Sequence, residues 1–317
     1  MREFIINQND SEQRLDKFLL KACRALPVSM LCKAVRNKDI KVNGKRTQIN
    51  YRLQENDVVR VYLNDSFFEE DTRDFTCVTP DIDIIYEDSN IILVNKKSGM
   101  LCHEDEKEKV NTLINHICAY LYKKGEFNPK DENSFTPALC NRIDRNTSGI
   151  VIAAKNAVSL RILNEKIKNR ELTKKYLCLA VGSFEKKSGT LTDYLVKNQD
   201  QNRVYLSKTY EQGSKTAVLK YWVKDEKNGL SLLEIELITG RTHQIRAQLA
   251  NIGHPLAGDG KYGLNQTNKS LGLKSQALCS YSLEFSFSSD AGQLNYLKGK
   301  KFTVKDIDFV NKFDLKC

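Results

Sequence analysis

No two of the nine cysteines are spaced as Cys-x-x-Cys, histidine occurs only four times, and no apolar run approaches the ~18 residues of a membrane helix. The cysteines fall at 23, 32, 77, 102, 118, 140, 178, 279 and 317, an odd number with no framework spacing. His103, His116, His243 and His254 complete no metal-like cluster with them. A zinc site, a disulfide scaffold and a membrane span are therefore all excluded. Reduced, mostly buried thiols in a cytosolic protein are the simplest account. The N-terminus carries no charged region followed by a long apolar core, so no secretory signal is expected and the chain reads as soluble and cytoplasmic. No Gly-rich nucleotide loop is present either.

What is present is charge, unevenly placed. Lys and Arg total 50 against 40 Asp and Glu, a formal net charge of +10. Residues 1–64 hold 13 basic and 7 acidic side chains, whereas residues 65–90 hold 9 acidic ones and a single cation, Arg73. Charge kept for solubility explains a net value readily but this asymmetry less well. A basic module on an acidic tether suits a polyanionic partner. The 317 residues divide into a basic module (1–64), an acidic linker (65–82) and a large catalytic domain (83–317).

The most specific stretch is Asn141-Arg142-Ile143-Asp144-Arg145-Asn146-Thr147-Ser148-Gly149, which sets one carboxylate between two guanidinium groups and runs into the apolar strand Ile150-Val151-Ile152-Ala153-Ala154. Cations beside a carboxylate favour its ionised form, which suits a nucleophile or electrostatic stabiliser better than a general acid. Alone, such a turn is more often a structural salt bridge. A second segment follows about ninety residues later, Ile238-Thr239-Gly240-Arg241-Thr242-His243-Gln244-Ile245-Arg246. Cys140, beside the first segment, has no adjacent base and reads as a small apolar filler.

Together the two segments resemble the RluA family of pseudouridine synthases, in particular its RluC-like members. Three further stretches match in order: Val94-Asn95-Lys96-Lys97-Ser98-Gly99, Lys174-Lys175-Tyr176 through Gly182, and Gly253-His254-Pro255 through Tyr262-Gly263. The resemblance covers roughly residues 83–290. Asn141 stands where that family usually has His, and Lys97 where it has Pro, which frees a backbone angle that a proline ring would fix. Neither change removes a group that the family's chemistry requires.

In the first module, Leu15, Phe18, Leu19 and Ala22 mark one helical face, Pro27 ends that element, and Ser29 is placed to cap a second helix over residues 30–35. The strand Ile40-Lys41-Val42, the type I′ dipeptide Asn43-Gly44 and the strand Val58 to Leu63 follow. Two helices and a basic hairpin resemble the alpha-L RNA-binding domain. That resemblance implies phosphate binding by Lys33, Arg36, Lys38, Lys41, Lys45 and Arg46. A solvated basic face on a packing domain is the plainer alternative.

Beyond the linker, strands are expected at 83–86, 91–94, from Gly149, around Tyr176 and at 231–238. Helices are expected over Leu160, Leu163 and Ile167, and from His243 through Arg246, Leu249 and Ile252. The class is α+β, with a mostly antiparallel mixed sheet. An extruded base needs a flat face to replace lost stacking, which Tyr176 offers. The resemblance implies Asp144 as nucleophile, Tyr176 packing on the base and Arg246 paired with Asp144. Arg142, Arg145, Arg241, His243 and Gln244 would shape the pocket or contact RNA. No cofactor or metal is implied. Large-subunit ribosomal RNA is the expected substrate. Transfer RNA, or a non-catalytic role in ribosome assembly, is the alternative, and a monomer is the default.

Overall fold

Apolar residues at helical spacing near the start of the chain form two short helices over a small sheet. The computed structural model describes residues 1–23, 25–68, 74–198, 203–263, 273 and 275–315. Its first unit comprises Arg2–Ile5 (β1), Leu15–Ala22 (α1), Val28–Arg36 (α2), Ile40–Val42 (β2), Lys45–Arg46 (β3) and Val58–Val61 (β4). The strands run β1-β4-β2-β3, each antiparallel to its neighbours. Asn43 and Gly44 take φ of +52° and +75°, the pair of left-handed values that a type I′ hairpin requires.

Two local expectations change. The first helix stops at Ala22, before Pro27 is reached, and α2 begins at Val28. Pro27, extended and lacking an N–H, occupies the N-cap with no side-chain cap, so Ser29 lies inside the first turn. Strand β4 ends at Val61, two residues early.

The acidic segment is anchored at its ends. Asp65–Phe68 and Asp74–Cys77 each form one 3-10 turn. Phe68 packs on Phe4 of the first unit, and Phe75 packs on Tyr122 and Phe127 of the second. Arg73 lies outside the described residues. Polar contacts dock the two units directly: Asn9 on Glu132 (2.7 Å), Asn133 on Asp10 (2.7 Å) and Arg161 on the Ser11 carbonyl (2.9 Å).

The second unit begins with Ile84–Glu87 (β5), Ile91–Lys96 (β6), Leu113–Lys123 (α3), Ala138–Leu139 (β7) and Ser148–Ala154 (β8). Ala157–Lys168 (α4), Leu172–Val181 (β9), Ser188–Asn198 (β10), Arg203–Ser207 (β11) and Lys215–Lys227 (β12) follow. Leu230–Leu237 (β13), Gln244–Asn251 (α5), Leu278–Phe285 (β14), Lys301–Thr303 (β15) and Asp308–Leu315 (α6) complete it.

Eleven strands join in one sheet, ordered β11-β10-β12-β13-β9-β14-β8-β6-β5, with β15 on β14 and β7 on β8. The β8–β14 pair is parallel, and the other pairings among the described residues are antiparallel. The fold is α+β with a mixed, mostly antiparallel sheet. Helices cover both faces near β6 and β8: Ile92, Val94, Val151 and Ala153 face α3, while Leu93, Ile150 and Ile152 pack with Leu163 of α4. Two-sided cover explains why the strand after Asp144 is continuously apolar instead of alternating.

Candidate active site

Three chain segments meet at one cleft with room for about 800 Å³: the loop before β8, the middle of β9, and the loop from β13 into α5. Asp144, Tyr176, Arg142, Arg145, Arg241, His243, Gln244 and Arg246 all line it.

The guanidinium that reaches Asp144 comes from neither flanking arginine. Arg145 is exposed and turns its Nε to the Gly99 carbonyl (3.2 Å). Arg142 is exposed at the cleft wall, and Arg241 donates from Nε to the Thr216 carbonyl (3.1 Å). Instead Arg246 Nη1 donates to Asp144 Oδ2 at 2.9 Å, across 102 residues of sequence. Arg246 is itself clamped, with Nε on Asp259 Oδ2 (2.8 Å) and Nη2 on Asp259 Oδ1 (3.0 Å). One guanidinium thus bridges a fully buried carboxylate and one whose side chain is 26% exposed. No hydrogen bond from a described residue reaches Asp144 Oδ1. One oxygen is fixed and the other is available.

Burial pushes the Asp259 carboxyl up. Arg246 and the backbone N–H groups of Lys261 and Tyr262 outweigh that and hold it below the usual carboxylate range. Asp259 was not singled out from sequence, although its flanking glycines were a signal. Gly258 has φ +78°, and a Cβ there would lie 2.1 Å from the Ser275 carbonyl oxygen, so only glycine lets the chain turn Asp259 inward.

A second buried cation fixes the Asp144 loop from below. Lys96 is 1% exposed, and its ammonium donates to the carbonyls of Lys97 (3.0 Å), Met100 (2.8 Å) and Arg145 (2.9 Å). Burial pushes its pKa down to about 8. The Gly99 N–H shares the Arg145 carbonyl (2.9 Å), so the loop bearing Lys97 buttresses the loop bearing Asp144. Lys97 itself reaches outward to Asp81 (2.7 Å). Asn141 ties its loop to β8, accepting from the Ile152 N–H at 2.8 Å.

Tyr176 is 6% exposed, and burial pushes its phenol up to about 12, so it stays neutral. His243 sits at the α5 N-cap in a left-handed conformation (φ 51°) with no side-chain cap. Its Nδ1 lies 3.1 Å from the Tyr262 hydroxyl, and its Nε2 lies 3.9 Å from Asp144, beyond hydrogen-bond reach. Burial pushes the imidazole down despite the Asp144 carboxylate. Gln244 spends its amide on the scaffold: Oε1 accepts from Thr239 Oγ1 (2.8 Å) and the Arg241 N–H (3.1 Å), and Nε2 donates to the Val218 carbonyl (3.1 Å). It therefore shapes the pocket from behind. Cys140 is half-buried and its thiol is pushed up to about 12 by burial, which leaves it unreactive. Among the described residues, no group of three or more His, Cys, Asp or Glu side chains is placed to hold a metal ion.

The six basic residues expected to meet phosphate lie on α2, the turn after it, and the β2–β3 hairpin, all exposed except the half-buried Lys41. Lys41 and Arg46 are direct cross-strand partners, a like-charged pair that destabilises a free hairpin.

Residues 90–251 match the RNA pseudouridylate synthase family, and residues 13–59 match the S4 domain. An uncharacterized RNA pseudouridine synthase of Mycoplasma capricolum is 31% identical over 98% of this chain and 100% of its own. The ribosomal large subunit pseudouridine synthase C of Haemophilus ducreyi is 30% identical over 92% of this chain and 89% of its own. Human RNA pseudouridylate synthase domain containing 4 superposes with a TM-score of 0.55 over 72% of this chain and 89% of its own, at 21% identity, a likeness of fold. Profile, full-length relatives and fold agree: this chain belongs to the RNA pseudouridine synthase family, an RNA-modifying enzyme that carries an S4 domain ahead of its catalytic domain.

Proposed function

We propose that the enzyme isomerises uridine to pseudouridine in large-subunit ribosomal RNA, with Asp144 as the nucleophile. The observation that carries the chemistry is the Asp144–Arg246–Asp259 bridge inside a cleft walled by Tyr176. Arg246 holds Oδ2 and leaves Oδ1 to attack the uridine. The glycosidic bond then breaks, the freed base rotates, and it rejoins the ribose through carbon 5, with the bond to Asp144 broken so that the carboxylate is regenerated. The proton displaced from carbon 5 goes to the former glycosidic nitrogen, so no other reactant is needed. Extruding the base costs a few kcal/mol of stacking, which the Tyr176 face offsets.

Two features support a structured RNA target. A polyanion would relieve the like-charged Lys41–Arg46 pair, and the S4 domain is a second RNA contact fixed beside the catalytic unit. Support for large-subunit RNA is the full-length similarity to an enzyme of that name. Pseudouridine mapping of all RNA from a deletion strain tests this. Loss of sites in large-subunit RNA, restored by wild type and not by Asp144→Asn, is the expected result. Loss confined to transfer RNA would move the substrate, and an unchanged map would leave an assembly role as the better account.

A further inference from the structure

Among the described residues, other lysines shielded from solvent have partners. Lys96 holds three carbonyls, Lys155 meets Glu87 (2.9 Å), Lys166 meets Glu171 (3.1 Å) and Lys175 meets Glu234 (2.9 Å). Lys174 is the exception. It lines the catalytic cleft from β9, and its ammonium makes no hydrogen bond, ion pair or ring contact with any described residue. Burial pushes its pKa down from the ordinary lysine range, and no carboxylate opposes that. Lys174 is half-buried, so its cation is partly withdrawn from water with no partner, and an anionic ligand would offset that cost.

Side chains two apart on a strand share a face, so Lys174 and Tyr176 point to the same side of β9, about 6.6 Å apart along it. Both line the cleft, so one nucleotide can meet the pair. Neither Asp144, whose Oδ2 is held by Arg246, nor Glu234, held by Lys175, hydrogen-bonds the Lys174 ammonium. RNA supplies one kind of anion, the phosphodiester. A compact ammonium binds its oxygens as a point charge.

On the reading that Tyr176 packs against the extruded uridine, we propose that Lys174 binds the backbone phosphate of that same nucleotide and so anchors it in the cleft. Lys174 is then a substrate-binding residue that acts on the ground state and the transition state alike. Losing it raises KM and leaves kcat.

The test uses full-length Lys174→Met, Lys174→Arg and a charge control at the exposed Lys305 (Lys305→Met). Dissociation constants are measured across a KCl series in an Asp144→Asn background, on unmodified transcripts of large-subunit ribosomal RNA and of transfer RNA. Turnover is measured with Asp144 intact. For Lys174→Met the expected results are a Kd and KM raised about tenfold, with kcat within about threefold. The slope of log affinity on log salt should be shallower by ~0.7–0.9, one phosphate's worth. Lys174→Arg restores the slope, Lys305→Met matches wild type, and the unliganded melting temperature of Lys174→Met does not fall. An unchanged slope on both transcripts overturns the proposal. So does a loss of kcat with Kd unchanged, which would place Lys174 on the reacting base. If wild type makes no pseudouridine yet binds with a Lys174-dependent slope, the phosphate contact stands and the function proposed above falls.

Discussion

Arg246→Lys keeps the charge at the centre of the site and removes its geometry. The wild-type guanidinium makes three charge-assisted bonds, two to Asp259 and one to Asp144, in a planar fork that an ammonium cannot copy. A lysine of shorter reach must choose between the two carboxylates. Asp259 is fully buried, so stripping its partner would cost about 3–5 kcal/mol. Asp144 keeps a side chain 26% exposed, so water replaces a lost partner there. The ammonium therefore goes to Asp259, and Asp144 loses the bond that orients it. A charge-assisted hydrogen bond is worth about 1.5–3 kcal/mol, so kcat should fall roughly 10- to 150-fold. Stability should fall by only about 1 kcal/mol, lowering the melting temperature by about 2–4 °C. Single-turnover kinetics with thermal melts separate the two effects. A kcat within about threefold of wild type would refute the orienting role. A fold lost outright, with surviving molecules fully active, would show that the ammonium had gone to Asp144.

Three more outcomes follow from the same contacts. Gly149→Ala would put a Cβ 2.3 Å from the Ser280 carbonyl oxygen at φ +111°, parting β8 from β14. Denaturant titration should show a loss of at least ~2 kcal/mol, and a neutral change would contradict the register. The Lys96 ammonium, pushed down to about 8 by burial, loses its proton in the folded protein before an ordinary lysine near 10.5 would. This group's penalty is thus complete below pH 8 and fades as pH rises toward 10.5, so its contribution to stability rises with pH. A neutral amine has two N–H groups for three carbonyls, so turnover should fall above pH 8 as the Asp144 loop loosens. An identical alkaline limb in Lys96→Met would assign it elsewhere. Replacing Arg46 by Ala relieves its repulsion with Lys41, so the melting temperature should hold or rise. RNA affinity should become less salt-dependent by about 0.7–0.9 in slope, and an unchanged slope would remove Arg46 from the RNA contact.

Local signals in the sequence were read well where the physics is local. Leu15, Phe18 and Leu19 repeat at helical spacing and are buried in α1, and Asn43-Gly44 alone specifies its turn. The Asp144 loop and the strand after it were legible because a continuous apolar run needs cover on both faces. Strand β1 was not, since Phe4 is its only buried residue and three exposed neighbours give no alternation. The pairing of β8 with β14 joins Gly149 to Ser280, and nothing in either segment announces the other. The same limit applies around Asp144, where only the family resemblance, and no local signal, pointed to Arg246. Adjacency sets Arg142 and Arg145 beside Asp144, whereas the fold turns Arg145 to Gly99; the expected pairing with Arg246 is present, and Asp259 behind it was the partner not read. Lys96 and Lys174 stood inside quoted motifs without a role, because a lysine's partners, or their absence, are fixed by tertiary packing.

The most direct measurement is single-turnover pseudouridine formation by Asp144→Asn on the unmodified large-subunit transcript, with affinity measured on the same sample. Asparagine keeps the shape and still accepts from Arg246 through its carbonyl oxygen, but it has no carboxylate oxygen to attack with. No pseudouridine, with a dissociation constant within about threefold of wild type, is the outcome expected of a nucleophile. Product formed at a rate near that of wild type would contradict the assignment of Asp144.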